Sequence, residues 1–227
     1  MFVRTSADKS SRPNSLRDFG MASASNPLVS LSEFSYKKGT EIYGENEPAE
    51  YVYQVRSGAI RSYKLLSDGR RQIGAFHLPG DIFGLENGPA HRFTTEAIID
   101  TTVHLMRRQS LEAVAKSDAV VAKSLFGMTT ANLHHAEDHM LLLGRKTSLE
   151  RVATFLAEMD KRLTAADVIA LPMSRRDIAD YLGLTLETVS RALSRLHEVG
   201  VLDFVGNTQR QIVLTDRIKL ASFDLQN

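Results

Sequence analysis

The chain has 227 residues, a formal net charge of +1, 43% hydrophobic and 24% charged residues, and no cysteine. That composition suits one large or two small globular domains and excludes a disordered or fibrous chain. The missing cysteine excludes disulfides, thiolate metal sites, cysteine-held iron–sulfur clusters and a cysteine nucleophile, while so small a net charge argues neither for nor against nucleic acid.

Residues 1–30 are polar and Ser-rich, with KSSRPNS followed by SASNP, and read as a flexible arm. The arm's Arg4, Lys9, Arg12 and Arg17 precede no apolar run of a secretory signal. No stretch of the chain reaches the ~18 apolar residues of a membrane span, so a soluble cytoplasmic protein without a membrane partner is expected.

Residues 31–109 change in character. Eight glycines from Gly39 to Gly88 punctuate short runs such as YVYQV, AIRSYKL, RQIGAFH, TTEAII and TVHLM. Tyr51, Tyr53 and Val55 alternate with Val52, Gln54 and Arg56. Short strands at near-regular turn spacing imply an antiparallel β-roll.

Over 110–145 the period becomes helical. Ala119, Ala122, Phe126, Thr129, Leu133, Ala136, Met140 and Leu143 are spaced alternately three and four apart, which is a heptad seam. Val121, Leu125 and Met128 form a second stripe. One wide stripe on a monomer's core helix would give a similar pattern. A single roll, however, does not easily cover both faces of so long a helix, which favours a second copy on Phe126, Leu133, Ala136, Met140 and Leu143.

Residues 146–227 form the last unit. Gly144 is expected to break the long helix, and Thr147 with Glu150 makes a T-x-x-E capping box for the next, which turns Val152, Phe155, Leu156 and Met159 inward and ends near Leu163. VIALP is a short strand. Ser174 and Asp177 open RRDIADYL, which Gly183 ends. Thr185 then caps LETVSRALSRLHEV, which stops at Gly200. Two helices around a glycine turn read as a helix-turn-helix. Ala179 is small at the crossing, Gly183 suits a left-handed turn, and Val189 locks the helices over Ile178, Leu182, Leu184 and Leu193. VLDFV–GNTQR–QIVLT is the hairpin wing.

The reading face then follows from helical geometry. Glu187, Ser190 and Arg191 lie opposite Val189 and Leu193, with Ser194 and Arg195 a turn later. Arg can donate two hydrogen bonds to guanine, and Glu can accept from cytosine's amino group. Glu187 and Arg191 alone could be an ordinary i,i+4 surface pair; the Ala–Gly–Val spacing and the hairpin favour DNA readout. Over 171–213 there are five basic and five acidic residues, so charge alone does not make this case. Arg175 and Arg176 at a helix start, Thr185, Thr188 and Arg195 beside the reading face, and Arg210 at the wing fall where phosphates would run.

From about Leu31 to Thr215 the sequence resembles the CRP/FNR family of bacterial transcription regulators, most closely its FixK-type branch. LPGDIFGLE (78–86) is similar to the roll's glycine-rich turn, GRKTSLERVATFL (144–156) to the junction and first helix of the DNA domain, and LTLETVSRAL (184–193) to the E-x-x-S-R recognition helix. The resemblance implies an α+β chain of β-roll, long dimerisation helix and C-terminal winged helix-turn-helix. It also implies a homodimer that reads a palindromic operator with TTGAT-like half-sites and an activator that contacts RNA polymerase.

Two departures bear on ligands. Nucleotide-binding members pair an Arg with a following Ser or Thr, whereas here Arg92 precedes Phe93 in PAHRFTTE, and no ribose pocket is evident around Asp81 and Glu86. Oxygen-sensing members carry a cysteine cluster, absent here. No cofactor and no metal are expected; His135 and His139 lie one turn apart, but spacing suggests no third ligand. The reading is therefore a regulator active without a bound effector. The alternative is a ligand-gated regulator whose roll takes an unidentified small molecule. An enzyme on a cupin-like roll is disfavoured, because the strands lack a His and Glu metal cluster.

Overall fold

The computed structural model describes residues 32–165, 167–206 and 209–223; the expected arm over 1–30 lies outside the described residues. Eight strands build the first half: β1 (Ser32–Tyr36), β2 (Glu41–Tyr43), β3 (Tyr51–Ser57), β4 (Ile60–Leu65), β5 (Arg71–His77), β6 (Ile82–Phe83), β7 (Thr94–Ala97) and β8 (Thr101–Arg107). They pair antiparallel in two four-stranded sheets, ordered β1-β8-β3-β6 and β2-β7-β4-β5. Gly58 makes the β3–β4 turn at φ +96, where a Cβ would lie 2.6 Å from the Thr101 backbone. No other residue fits there.

The sequence suggested simple alternation in β3. Instead Val52, Tyr53, Gln54 and Val55 are all buried. Tyr53 and Val55 pack inside the roll with Tyr43, Ile60, Phe83 and Val103. Val52 faces the other way, onto Met106, Leu111, Val114 and Val121. A central strand with a helix layer behind it loses the polar face that alternation requires.

The helical stretch expected as one long element is two. α1 (Arg108–Ser117) ends at Asp118, which is extended at φ −125, ψ 110, and α2 (Ala119–Arg145) begins after it. The Asp118 carboxylate caps α2, accepting from the Val120 and Val121 backbone N–H groups at 2.8 and 3.3 Å. Gly144 does not break α2; it lies in the last turn, and the chain leaves the helix at Lys146. Val121 is buried against the roll with Leu125 and Met128 beside it. On the opposite side Phe126, Leu133 and Met140 are 75%, 57% and 65% exposed.

The second half contains α3 (Ser148–Leu163), β9 (Thr164–Ala165), β10 (Val168–Ala170), α4 (Arg175–Leu182), α5 (Leu186–Glu198), β11 (Leu202–Val205), β12 (Gln211–Leu214) and α6 (Arg217–Ser222). Glu150 donates its N–H to Thr147 and accepts one from it, which closes the expected capping box. Val152, Phe155, Leu156 and Met159 are buried as their spacing requires. The strands form one antiparallel sheet in the order β11-β12-β10-β9. Ile73, Phe76 and Leu78 of the roll join Phe155, Tyr181 and Leu182 in one apolar cluster, so roll and helical head share a core. At roughly 1.5–3 kcal/mol for each large side chain, that shared burial holds the two together. Among the described residues no helix is long and apolar enough to cross a membrane.

Candidate nucleic-acid interface

Both helices of the head start from polar caps. Ser174 Oγ accepts the Asp177 N–H at 3.1 Å, and Asp177 accepts the Ser174 N–H at 3.0 Å. These bonds satisfy N–H groups that the first helical turn leaves unpaired. Thr185 Oγ1 accepts the Thr188 N–H at 3.2 Å in the same way. Between the helices Gly183 has φ +62, ψ 39. A Cβ there would meet nothing closer than 3.5 Å, so glycine is needed for backbone conformation rather than for space.

Val189, Ala192, Leu193 and Leu196 are the buried residues of α5. The opposite face presents Glu187, Arg191, Ser194 and Arg195 to solvent, with Thr188 and Ser190 half-buried at its edge. The structure therefore brings Glu187, Ser190 and Arg191 together on one open surface. Arg191 donates a long 3.4 Å hydrogen bond to the Thr188 hydroxyl. The backbone N–H of Glu187 and the Thr185 hydroxyl, aided by the positive charges of Arg176 and Arg191, hold the Glu187 carboxyl below its ordinary range. Glu187 thus stays an anionic acceptor, the form that can take a cytosine amino proton.

The flanking residues divide. Arg176 and Arg210 are exposed beside that surface. Arg195 is exposed and pairs with Glu198 at 3.3 Å. Arg175 is not a free cation: it donates to Ser190 Oγ at 3.2 Å and to Gln209 Oε1, and lies 5.9 Å over the Phe204 ring. One side chain thereby joins α4, the reading helix and the wing. Gln209, at φ +53, and Phe204 were missed from the sequence. A wing glutamine has no motif, and only the folded hairpin brings it to Arg175.

Arg151 was missed too. It donates to the Leu143 and Lys146 carbonyls at 2.8 and 2.9 Å and to the Leu182 carbonyl at 3.0 Å. The C-terminal ends of α2 and α4 therefore share one guanidinium, where a cation is favoured. His139 stacks on Tyr181 at 4.2 Å and its Nε2 lies 2.9 Å from the Tyr181 carbonyl, and His135 Nε2 lies 3.5 Å from the Tyr181 hydroxyl, so these two histidines of α2 contact the head. Among the described residues no group of three or more His, Asp and Glu could hold a metal ion.

Inside the roll, Tyr43 stacks on His91 at 3.5 Å, Tyr53 on Phe83 at 5.0 Å, and His77 on Phe83 at 4.8 Å. Ser62 Oγ meets His77 Nε2 at 2.8 Å and Thr95 Oγ1 at 2.9 Å. Burial pushes the Tyr43 phenol up to about 12 and the His77 imidazole down to about 4, so both stay neutral. Asp81 accepts from Arg162, and Arg92 is exposed, with its backbone N–H on Glu86. The interior aromatic rings pack on one another, the Ser62 and Thr95 hydroxyls bond to each other, and the Thr101 hydroxyl donates to backbone carbonyls.

Comparison with known proteins gives a consistent picture. Residues 150–223 match the Crp-like helix-turn-helix domain, and residues 33–118 match the cyclic nucleotide-binding domain. The nitrogen fixation regulation protein FixK of Azorhizobium caulinodans is 42% identical over 223 residues, spanning 96% of this chain and 85% of that one. The transcriptional activatory protein AadR of Rhodopseudomonas palustris is 40% identical, over 74% of this chain and 72% of its own. The structure of FixK2 from Bradyrhizobium japonicum superposes with a TM-score of 0.83 at 69% identity, covering 86% of this chain and 98% of that one.

Proposed function

The chain belongs to the CRP/FNR family, in its FixK-type branch, and is a transcription regulator rather than an enzyme; from that premise we propose that it is a homodimeric activator reading an inverted repeat with TTGAT-like half-sites. The observation that carries this reading is the exposure of Glu187 and Arg191 on one face of α5, with the half-buried Ser190 at its edge. Arg191 takes the guanine through its two major-groove acceptors, Glu187 accepts from cytosine on the other strand, and Ser190 lies close to a neighbouring base. Leu186 offers no hydrogen bond, so the outermost base is read loosely. Arg176, Thr185, Thr188, Arg195 and Arg210 contact phosphates, which set register without carrying sequence. RNA polymerase is the partner of the DNA-bound dimer, in the cytoplasm.

The exposed Phe126, Leu133 and Met140 on α2, in a seam with Ala136 and Leu143, support dimerisation, because three large apolar side chains along one stripe call for a covering partner. Two-fold symmetry then requires a near-palindrome with half-sites about 34 Å apart. The self-filled roll interior supports activity without cyclic nucleotide, and the absence of cysteine supports activity without an iron–sulfur cluster. The experiment is a titration of purified protein, with no added effector, against the palindrome and against a version with each half-site guanine replaced. Equal affinity for the two DNAs sinks the base assignment.

A further inference from the structure

The side of α4 facing away from the reading surface makes a second set of contacts. Arg61 on β4 donates through Nη1 to Asp177 Oδ1 at 2.7 Å and through Nη2 to Glu96 Oε1 at 2.7 Å. Arg71 on β5 donates to the same Asp177 oxygen at 2.7 Å and, through Nε, to Asp180 Oδ2 at 2.8 Å. Both guanidinium groups lie over the Tyr63 ring, at 5.9 and 5.5 Å. The Asp177 side chain is 4% exposed, those of Arg61 and Arg71 15% and 21%. Charge-assisted bonds this short and this shielded are directional and hold one geometry.

Asp177 has two duties. Its Oδ2 accepts from the Ser174 backbone and hydroxyl and so forms the start of α4, while its Oδ1 is held by the roll. The residues immediately before it, Arg175 and Arg176, border the DNA surface. The far end of α4 is held as well: Gln72 Nε2 donates to the Tyr181 carbonyl at 3.3 Å, and Arg151 ties Leu182 to the end of α2. The head is thus fixed at both ends of one helix, to the roll and to α2, the helix that carries the proposed dimer seam.

We propose that Arg61 and Arg71 are positioning residues for DNA reading: acting through Asp177 and Asp180, they set the angle of the head on the roll and hence the half-site spacing the dimer accepts. This rests on the inverted-repeat reading above. Adding one base pair between half-sites moves them about 3.4 Å apart and turns one by about 35° relative to the other. A head held by the clamp cannot follow that turn, whereas a released head can.

The test uses the full chain and two mild variants, Arg71→Gln and Asp180→Asn. Each leaves Arg61 on Asp177 and both capping boxes intact. Binding is titrated on the palindrome and on versions one base pair longer and one shorter, alongside the guanine-replaced DNA. The wild-type chain should prefer its own spacing at least tenfold. In both variants that preference should shrink to about threefold or less, while the preference for guanine persists. Unchanged spacing preference in both variants, uniform weakening on all spacings, or a wild-type chain indifferent to spacing overturns the proposal. Loss of guanine discrimination in the wild-type chain instead overturns the base assignment; the spacing comparison, which needs only bound DNA, still reads the clamp.

Discussion

In the roll, Ser62, Thr95 and His77 bond to one another and Tyr43 lies flat on His91 at 3.5 Å. On α5, Glu187, Arg191 and Ser194 face solvent, and Arg191 makes a long 3.4 Å hydrogen bond to Thr188. In the first region Ser62, Thr95 and His77 satisfy one another, while His91 Nδ1 has no hydrogen-bond partner among the described residues; in the second the polar groups stand open to solvent. In the function proposed here, a roll that matches the cyclic nucleotide-binding domain serves as a packed support, and recognition is concentrated in one helix face. An unpaired buried polar group is costly, whereas an exposed one is solvated until its partner arrives. Most buried polar side chains of the roll accordingly find partners within it, whereas the polar side chains of α5 stay solvated.

The sharpest way to break this contrast is to leave both regions intact and separate the copies. Leu133→Glu with Met140→Glu should yield folded monomers by sedimentation with no measurable operator binding, since both side chains are exposed on the protomer. An intact dimer would move the interface elsewhere. Within the reading face, Arg191→Ala should cost about 1–3 kcal/mol per half-site and erase the guanine preference in titrations. Arg175→Ala should cost less, about 1 kcal/mol per half-site. Because Arg175 holds Ser190 and Gln209, that loss should depend on the base beside Ser190 rather than fall equally on all sequences.

The stability of the roll should depend on pH. Burial holds the folded His77 imidazole down to about 4, below its ordinary value, so the unfolded chain takes up the proton first. Stability is full above about pH 6.5 and falls as pH drops towards 4, with a slope approaching about 1.4 kcal/mol per unit. Thermal melts at pH 7 and 4.5 should separate, and His77→Gln should narrow the gap. The smallest effect is a null one: calorimetry with cyclic AMP should show no heat of binding, and a micromolar dissociation constant would make the roll a sensor.

Local signals were the legible ones. Ser174–Asp177, Thr185 and Gly183 mark helix ends through contacts within a few residues, and each sits where its spacing placed it. The stripes of α2 were legible because 3.6-residue periodicity needs no tertiary information. Asp118 escaped notice although a polar residue before an apolar run is an N-cap signature; the heptad pattern starting at Ala119 also suited an unbroken helix. The double burial of β3 depends on which layer lies behind it. The clamp was beyond reach altogether. Arg61 and Asp177 are 116 positions apart, and nothing in either stretch identifies the other.

Because Asp177 gives one oxygen to its own helix and the other to the roll, the head is not an interchangeable part. Joining it to another roll keeps both caps and every base-reading residue, yet leaves two buried-side carboxylates facing whatever that roll presents. The transferable unit is larger than the winged helix and includes the β4–β5 hairpin with Arg61 and Arg71. On the proposed reading, substitutions on α5 alone would alter the target sequence, whereas a change at Arg61 or Arg71 of the roll would have to be matched by a change at Asp177 or Asp180 on α4.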